Sequence, residues 1–238
     1  SIFLVRKWRR DMMGTYSGGF MAMVRAFLFM ALVMSLAACN RRDTDKATAT
    51  VEQKAKPSVA IVPIFDRTEN AGVSWSLSDE LTVGIQRKLA PRGKLSLTSH
   101  EIARSITKKL AGDRDPFSTD LSWMKKEIKG AEFVIFGEVL QHEEVPVSYA
   151  NISQSPADLK MSIKLRVVDL RGQQPRIVLQ EILDDSYYLP KQFTKENFQQ
   201  IPWGKENYHV SPLGIAHAKL IKELASRIED YVLLASGQ

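Results

Sequence analysis

The sequence has very little cysteine. Cys39 is the single cysteine among 238 residues, which excludes an intrachain disulfide and a metal site built from several thiolates of one chain. The phosphate loops GxxxxGK and GxGxxG and the nucleophile elbow GxSxG are also absent, so none of these motifs indicates nucleotide binding or an α/β-hydrolase. What is present, 44% apolar and 25% charged residues, is typical of a globular protein and excludes a disordered or collagenous chain.

An excess of charge of one sign is missing from most of the chain. The formal charge is +6, but the surplus of basic residues lies in residues 1–57. Residues 58–238 carry equal numbers of basic and acidic side chains. Binding to a phosphate backbone needs a basic surface, so we expect no nucleic-acid partner.

An apolar run near the N-terminus indicates export. Residues 26–38 (AFLFMALVMSLAA) are nearly all apolar and are followed at once by Cys39. The run is shorter than the roughly 20 residues of a membrane-spanning helix and has the length of a signal-peptide core. We therefore predict a signal peptide over residues 1–38. Met21 or Met23 is a better start than Ser1, so residues 1–20 are interpreted as an untranslated extension of the reading frame.

The residues around the cysteine resemble the bacterial lipobox, in which small residues admit the signal peptidase and the thiol receives a diacylglycerol. They are Leu36, Ala37, Ala38 and Cys39. Cys39 would become a lipidated N-terminus carrying fatty acids such as palmitate, and two or three acyl chains give stable anchoring. Asn40 replaces the aspartate that retains enteric lipoproteins in the inner membrane, so the outer membrane is favoured.

A tether and one domain are predicted to follow the signal peptide. Residues 39–57 contain Val51 as their single large aliphatic residue, so they are predicted to be a flexible tether behind the lipid anchor. Residues 58–238 are predicted to form a single α/β domain. Its mixed β-sheet has helices packed on it and the element order β-α-β-α-α-β-β-β-α.

Parallel strand pairing is predicted in the first half of this domain. Residues 58–65 (SVAIVPIF) form a β-branched run that is typical of a strand covered on both faces. A helix with apolar residues at every fourth position, 77–89, leads to a short strand at 94–98. A helical crossover of this length favours a parallel neighbour.

Antiparallel pairing is predicted in the second half. Residues 159–170 and 176–183 are predicted to form an antiparallel hairpin, after a second buried strand at residues 133–140. Residues 159–170 alternate apolar and polar side chains, which indicates that one face of the hairpin lies in solvent. Residues 184–211 have no clear period and are predicted to be irregular, and Pro212 opens a C-terminal helix.

Histidines and carboxylates give weak candidates for a metal site. His100-Glu101 begins like the zinc motif HExxH, but Arg104 stands where the second histidine is required. Residues 142–144 (His-Glu-Glu) are adjacent on a strand, so their side chains point to opposite faces. We therefore expect no metal and no other cofactor.

The pair Asp184-Asp185 remains as a candidate for acid–base chemistry. Two carboxylates at the end of a strand are typical of a solvated terminus, and no acid or base partner is evident. His209 and His217 lie near the last helix and would need distant carboxylates for catalysis. We assign no catalytic residue.

An unusual concentration of aromatic residues occurs near residues 184–211. Its members are Tyr187, Tyr188, Phe193, Phe198, Trp203 and Tyr208. Aromatic side chains dominate the hot spots of protein interfaces, so these six residues are a candidate partner surface. The alternative is that this segment folds down and covers an edge of the core.

Several motifs in residues 58–183 carry a family resemblance. The strand V-A-I-V-P-I-F is followed by the turn Asp66-Arg67-Thr68, and G-A-E-F-V-I-F-G at 130–137 opens the next core strand. This arrangement resembles the CsgG/LpoB-type periplasmic lipoproteins, whose α/β domain is similar to the N-terminal domain of TolB. The resemblance implies a binding module, since such lipoproteins activate cell-wall synthases, form secretion channels or assist envelope assembly. It implies no enzyme activity.

The sequence therefore predicts a non-catalytic lipoprotein at the periplasmic face of the bacterial envelope. It would bind another envelope protein, of unknown identity, in envelope assembly or cell-wall synthase regulation, and it could also form oligomers. Two alternatives stay open. A subunit of an outer-membrane secretion channel would form ring-shaped oligomers, and an envelope hydrolase would bring Asp184 or Asp185 to a histidine in a cleft.

Overall fold

The structure of the protein is a computed structural model that describes residues 55–68, 71–110 and 114–237. These residues belong to one folded unit, Ala55–Gln238. The predicted signal peptide and the lipobox with Cys39 lie outside the described residues. Within the described ranges, no helix combines the length and the apolar character needed to cross a membrane.

Six strands in the described residues form one sheet. They are β1 (Ser58–Ile61), β2 (Phe65–Asp66), β3 (Ser96–Leu97), β4 (Phe133–Pro146), β5 (Ala157–Asp169) and β6 (Arg176–Leu189). The order across the sheet is β3-β1-β4-β5-β6, and β2 also pairs with β4. β1 is parallel to β3 and β4, whereas β4, β5 and β6 pair in antiparallel fashion. The predicted change from parallel to antiparallel pairing is confirmed.

Four α-helices are described with this sheet: α1 (Leu77–Leu89), α2 (His100–Leu110), α3 (Ser122–Glu127) and α4 (Pro212–Ser236). Local sequence explains the ends of the two longest. The side chain of Ser76 accepts a hydrogen bond from the backbone N–H of Asp79, and Ser211 accepts one from Gly214, each at 3.1 Å, so both N-termini are capped. Gly237 ends α4 at φ 69°, a left-handed conformation that favours glycine.

The apolar core lies in two layers, one on each face of the sheet. On the first face, Leu81 of α1 and Leu224 of α4 pack in one cluster with Ile135 of β4. On the second face, Ile106 of α2 packs in a separate cluster with Phe136 of β4. β1 contributes to both clusters, as its continuous apolar run predicts. The predicted α/β class with a mixed sheet is confirmed.

β6 is longer than the sequence pattern predicts. The predicted strand ends at Leu183, whereas the structure continues it to Leu189. The polar run at residues 184–186 breaks the apolar alternation, but these residues pair with residues 160–162 of β5. Pairing with a neighbouring strand outweighs the local pattern here, and the irregular segment shortens to residues 190–211.

Candidate functional site

In the part of the chain that the structure describes, β6 forms one edge of the sheet and has a neighbour on a single side. It has 14 residues, whereas β3 at the opposite edge has two. Its exposed large apolar side chains are Ile177, Ile182 and Tyr188, with exposed fractions of 39%, 53% and 64%. Edge strands are often protected by shortness, charged side chains or proline; β6 is long and has no proline, and its charges lie at Arg176 and in residues 181–185. This edge is the candidate site.

A groove of about 620 Å³ lies between β6 and α4. Its polar and aromatic lining includes Glu181, Asp184, Asp185 and Tyr187 from β6, with Lys219 and Arg227 from α4. Leu220 of α4 is buried in the core beside the sheet. Lys219 directly precedes this buried residue, so it lies along the flank of the helix, where it and Arg227 line the groove.

The two cations in the groove already have partners. Arg227 lies 2.9 Å from a carboxylate oxygen of Glu223 and 3.6 Å from one of Glu181. The ammonium of Lys219 lies 5.4 Å from the ring centroid of Tyr187, within the range of a cation–π contact. These contacts leave the carboxylates of residues 184 and 185 without a cation partner among the described side chains. The middle of the edge is therefore acidic.

Tyr187 is tied to this acidic region. Its hydroxyl donates a hydrogen bond to the carboxylate of Asp185. Burial, and then the hydrogen bond and negative charge of Asp185, raise the pKa of Tyr187 above its ordinary value. The tyrosine therefore stays protonated and neutral, so it compensates none of the negative charge of the groove.

A second polar cluster is buried against the first face of the sheet. Its members with 7% exposure or less are Glu80, His142, Tyr208 and His217. Oε1 of Glu80 lies 3.0 Å from Nδ1 of His217, whose Nε2 lies 2.8 Å from Nε2 of His142. Nε1 of Trp75 donates to Oε2 of Glu80 at 2.7 Å, and the hydroxyl of Tyr208 donates to Oε1. Tyr208 is thus an interior residue and does not contribute to an exposed surface.

The hydrogen-bond geometry of this buried network assigns the proton of His142. Nδ1–H of His142 donates to the carbonyl oxygen of Ala71 at 2.5 Å, so Nε2 of His142 accepts from Nε2–H of His217. Nδ1 of His217 lies 3.0 Å from Oε1 of Glu80 and 2.8 Å from the hydroxyl of Tyr208, so it contacts both groups. A fully paired polar network of this kind specifies one arrangement of the core.

The pKa shifts of three members of the network define their charge. Burial, followed by the charge of His217, lowers the pKa of His142 to about 4. Burial tends to raise the pKa of Glu80, but its hydrogen bonds and the charge of His217 outweigh burial and lower it. Burial and the neighbouring charge of Glu80 raise the pKa of Tyr208. At neutral pH, His142 and Tyr208 are therefore uncharged and Glu80 is ionised.

The structure does not bring the predicted acid pair to a histidine. Asp184 and Asp185 lie within β6 and are exposed, whereas His142 and His217 lie in the buried network. Among the described side chains, no hydrogen bond joins either carboxylate to a histidine. In the same residues, no group of three or more His, Cys, Asp or Glu is placed to hold a metal ion. These residues do not form the cleft expected of an envelope hydrolase.

The five other aromatic residues of the predicted partner surface are spread over two places. Tyr188 is exposed on β6, while Tyr187, its neighbour on the opposite face, packs against the core of the first face. Phe193 and Phe198 contact each other with ring centroids 5.4 Å apart. Trp203 is half-buried in the irregular segment. Of the six, Tyr188 is the one that the β6 edge presents most openly to solvent.

Sequence reasoning missed the buried network, although a signal for it exists. His217 follows Leu213 by four positions and precedes Leu220 by three, so it lies on the apolar stripe of α4. Glu80 likewise follows the buried Leu77 by three positions on α1. A charged or titratable residue on an apolar stripe must find a buried partner. Which partners meet could not be read from the sequence, because Glu80 and His217 are 137 positions apart.

Comparison with protein families places the chain in one of them. A family model matches residues 45–236, which include nearly all of the described residues. The chain belongs to the DUF7499 family. That family is described as one of unknown function, and no curated protein matches the chain.

Several solved structures match the chain. The hypothetical protein CT253 from Chlamydia trachomatis has 26% sequence identity and a TM-score of 0.57, over 75% of this chain and 98% of that one. The lipoprotein GNA1162 from Neisseria meningitidis has 14% identity and a TM-score of 0.34, over 71% and 96%. The LpoB C-terminal domain from Salmonella enterica has 15% identity and a TM-score of 0.32, over 55% and 83%. Bacterial lipoproteins are thus among the matching structures, at a similarity that defines neither partner nor activity.

Proposed function

We propose that the protein is a lipoprotein of the CsgG/LpoB type, acylated at Cys39 and anchored in the outer membrane, whose domain is a non-catalytic binding module for another protein of the bacterial envelope. The observation that carries the binding role is the β6 edge. It runs for 14 residues with a neighbour on one side in the described residues, and it exposes large apolar side chains.

The chemistry of that edge supports binding over a purely structural role. An edge strand has a row of N–H and C=O groups that pair readily with another chain. A partner strand would take up these groups and cover Ile182 and Tyr188, which are 53% and 64% exposed. Burial of such apolar side chains contributes favourable free energy to association.

The lipid anchor is supported by the lipobox and the tether. Leu36, Ala37 and Ala38 directly precede Cys39. The tether of residues 40–57 would give the domain a reach on the order of 20 to 25 Å from the anchor. The β6 edge could then meet a partner that projects from the membrane or lies close to it.

Photo-crosslinking in intact cells tests this function. Tyr188 is replaced by benzoylphenylalanine in one strain, and Lys108, exposed on α2, is replaced in a matched strain. We expect a defined crosslink to an envelope protein from position 188 and none from position 108. Cys39→Ser should release the protein from the membrane fraction and lower the crosslink at least tenfold. Equal crosslinking from both positions, or unchanged membrane association of Cys39→Ser, would contradict the proposal.

A further inference from the structure

We infer that the occupant of the β6 edge is an extended segment of the partner with basic residues at its centre and apolar residues toward its ends, which adds a strand to the sheet. The inference rests on the proposed function, since it names the chemistry of the partner that the same edge binds. Four observations lead to it: the length of the edge, the location of its charges, the location of its apolar side chains and the poor fit of a second copy.

The edge has the length and continuity that a strand partner needs. β5 pairs with β6 from Ala157↔Leu189 to Asp169↔Arg176, with one register shift, so β6 is held extended over its whole length. At about 3.3 Å per residue, 14 residues offer a strand of roughly 45 Å. The register shift lies near the start of β6, between the partners of Val167 and Val168, so the remainder is a regular template.

The negative charges of the edge favour a basic segment of the partner. Glu181, Asp184 and Asp185 fall within five consecutive residues of the strand. Arg227 forms ion pairs with Glu181 and Glu223. Asp184 and Asp185 have no cation partner in the described part of the chain. Asp184 and Asp185 are neighbours on a strand, so they project on opposite faces of the sheet. A strand that pairs here would meet negative charge on both faces, which lysine or arginine at facing positions would neutralise.

Ile177 and Tyr188 flank this acidic stretch, and the exposed Ile182 lies within it. Ile182 pairs with Lys164, whose ammonium lies over the ring of Phe117 beside the core of the second face, so Ile182 lies on the face that α4 does not cover. Tyr188, six positions further along the strand, lies on the same face. Ile177 pairs with Val168, which packs in the core cluster of the second face, so it lies on this same face. Cross-strand apolar pairs stabilise a sheet, so the ends of the incoming segment would carry apolar residues.

A second copy of this chain fits the edge poorly. In a two-fold antiparallel pairing of β6 with itself, the acidic stretch at residues 181–185 would face the same stretch of the other copy. Six carboxylates would then lie within a few residues of the symmetry axis, and directly opposed like charges destabilise a sheet. The opposite edge, β3, has two residues, which is too short to pair with a strand of 14. The charge of the edge therefore selects a partner of opposite sign.

Charge reversal at the edge tests the inference in native membranes. The full-length protein carries benzoylphenylalanine at position 182, with or without Asp184→Lys and Asp185→Lys. We expect the crosslink to the partner to fall at least tenfold in the charge-reversed protein and to weaken with added salt. The matched control reverses two exposed carboxylates elsewhere, Glu101→Lys with Glu206→Lys, and should keep the crosslink within twofold. Far-UV circular dichroism of both variants checks the fold.

A defined peptide gives a second readout. The probe has ten residues, with four lysines at its centre and valine–threonine repeats at both ends, and the control peptide has glutamate in place of lysine. The detergent-solubilised full-length protein should bind the lysine peptide at least tenfold more tightly. Asp184→Lys with Asp185→Lys should abolish that preference.

The outcomes separate this inference from the proposed function. A crosslink that persists after charge reversal, or that maps to an acidic segment or to a second copy of this chain, overturns the inference and leaves a binding module. No crosslink from position 182 or 188 removes the proposed function as well. Mass spectrometry of the crosslinked peptide decides between these cases, because the inference requires a net positive segment.

Discussion

The buried network and the β6 edge are built from the same kinds of side chain and differ in their surroundings. Glu80 is 2% exposed and pairs with Trp75, Tyr208 and His217. Among the described residues, the exposed Asp185 accepts hydrogen bonds from its neighbours in the strand, through a backbone N–H and the hydroxyl of residue 187. A buried charge must be paired, whereas an exposed one keeps its water until a partner replaces it. We therefore expect the buried carboxylate to stabilise the domain, and we assign the exposed carboxylates to the proposed binding edge.

Among the variants that compare the buried network with the β6 edge, the largest effect on stability is expected at Glu80. Glu80→Ala would remove the acceptor of Nε1 of Trp75 and of the hydroxyl of Tyr208, and the carboxylate beside Nδ1 of His217. Leaving several buried polar groups without a partner in this way should lower the free energy of unfolding by about 3 kcal/mol or more. Urea unfolding of the full-length protein in detergent, followed by tryptophan fluorescence, measures the loss.

The neighbouring acidic residue on the same helix, Asp79, provides the control for the Glu80→Ala measurement. Asp79 is exposed in the first turn of α1, and Asp79→Ala should cost less than about 1 kcal/mol, since it alters only a helix-dipole interaction. A double-mutant cycle of Glu80→Ala with His217→Ala should give a coupling energy of about 1 to 3 kcal/mol. Equal losses for Glu80→Ala and Asp79→Ala would show that the buried network does not stabilise the domain.

A smaller effect is expected from pH, because His142 binds its proton at a different pH in the folded and unfolded chains. Its pKa is about 4 in the fold against 6.5 for the free side chain, so the unfolded chain binds more protons between these values. Stability should therefore fall as pH decreases from about 7 to 4, by roughly 3 kcal/mol in total. Glu80 has a lowered pKa, and its contribution is lost only at lower pH, below its ordinary value.

Replacing the histidine isolates its share of the pH dependence. His142→Gln removes the titrating group, so the difference in unfolding free energy between the variant and the native protein should narrow as pH falls from 7 to 5. Urea titrations at four pH values over this range give the slopes. Parallel slopes for the two proteins would mean that His142 does not carry the effect.

Much of the fold could be predicted from the sequence because local patterns determine it. The β-branched run at 58–65 predicted a strand covered on both faces, and the structure has such a strand at Ser58–Ile61, shorter than predicted. The apolar spacing at 77–89 predicted a helix, and α1 has these bounds. The end of β6 could not be predicted, since pairing with β5 extends the strand through three polar residues. The local periodicity of apolar residues predicts which side chains are buried, whereas the length of an edge strand depends on backbone pairing with its neighbour.

The candidate site was predictable only in part, because the exposure of a side chain also depends on contacts with distant residues. The sequence drew attention to Asp184 and Asp185 and to the aromatic residues near them, but as an acid pair at a strand end and as members of one loop. The structure places Tyr188 and both aspartates along one strand edge and buries Tyr208 beside Glu80. Tyr188 differs from Tyr208 in its exposure to solvent. That exposure depends on contacts between residues far apart in sequence, such as Tyr208 and Glu80, which are 128 positions apart.

The smallest effect on stability is expected at the exposed apolar residues of β6. Ile182 is 53% exposed and Leu179, on the same strand, is 7% exposed. Ile182→Ala should change the free energy of unfolding by no more than about 0.5 kcal/mol, whereas Leu179→Ala should lower it by about 2 kcal/mol or more. Urea unfolding of both variants makes the comparison, and similar losses would mean that Ile182 serves the fold. If Ile182→Ala leaves stability unchanged and weakens the crosslink from position 188, the exposed isoleucine acts on the partner and not on the folded domain.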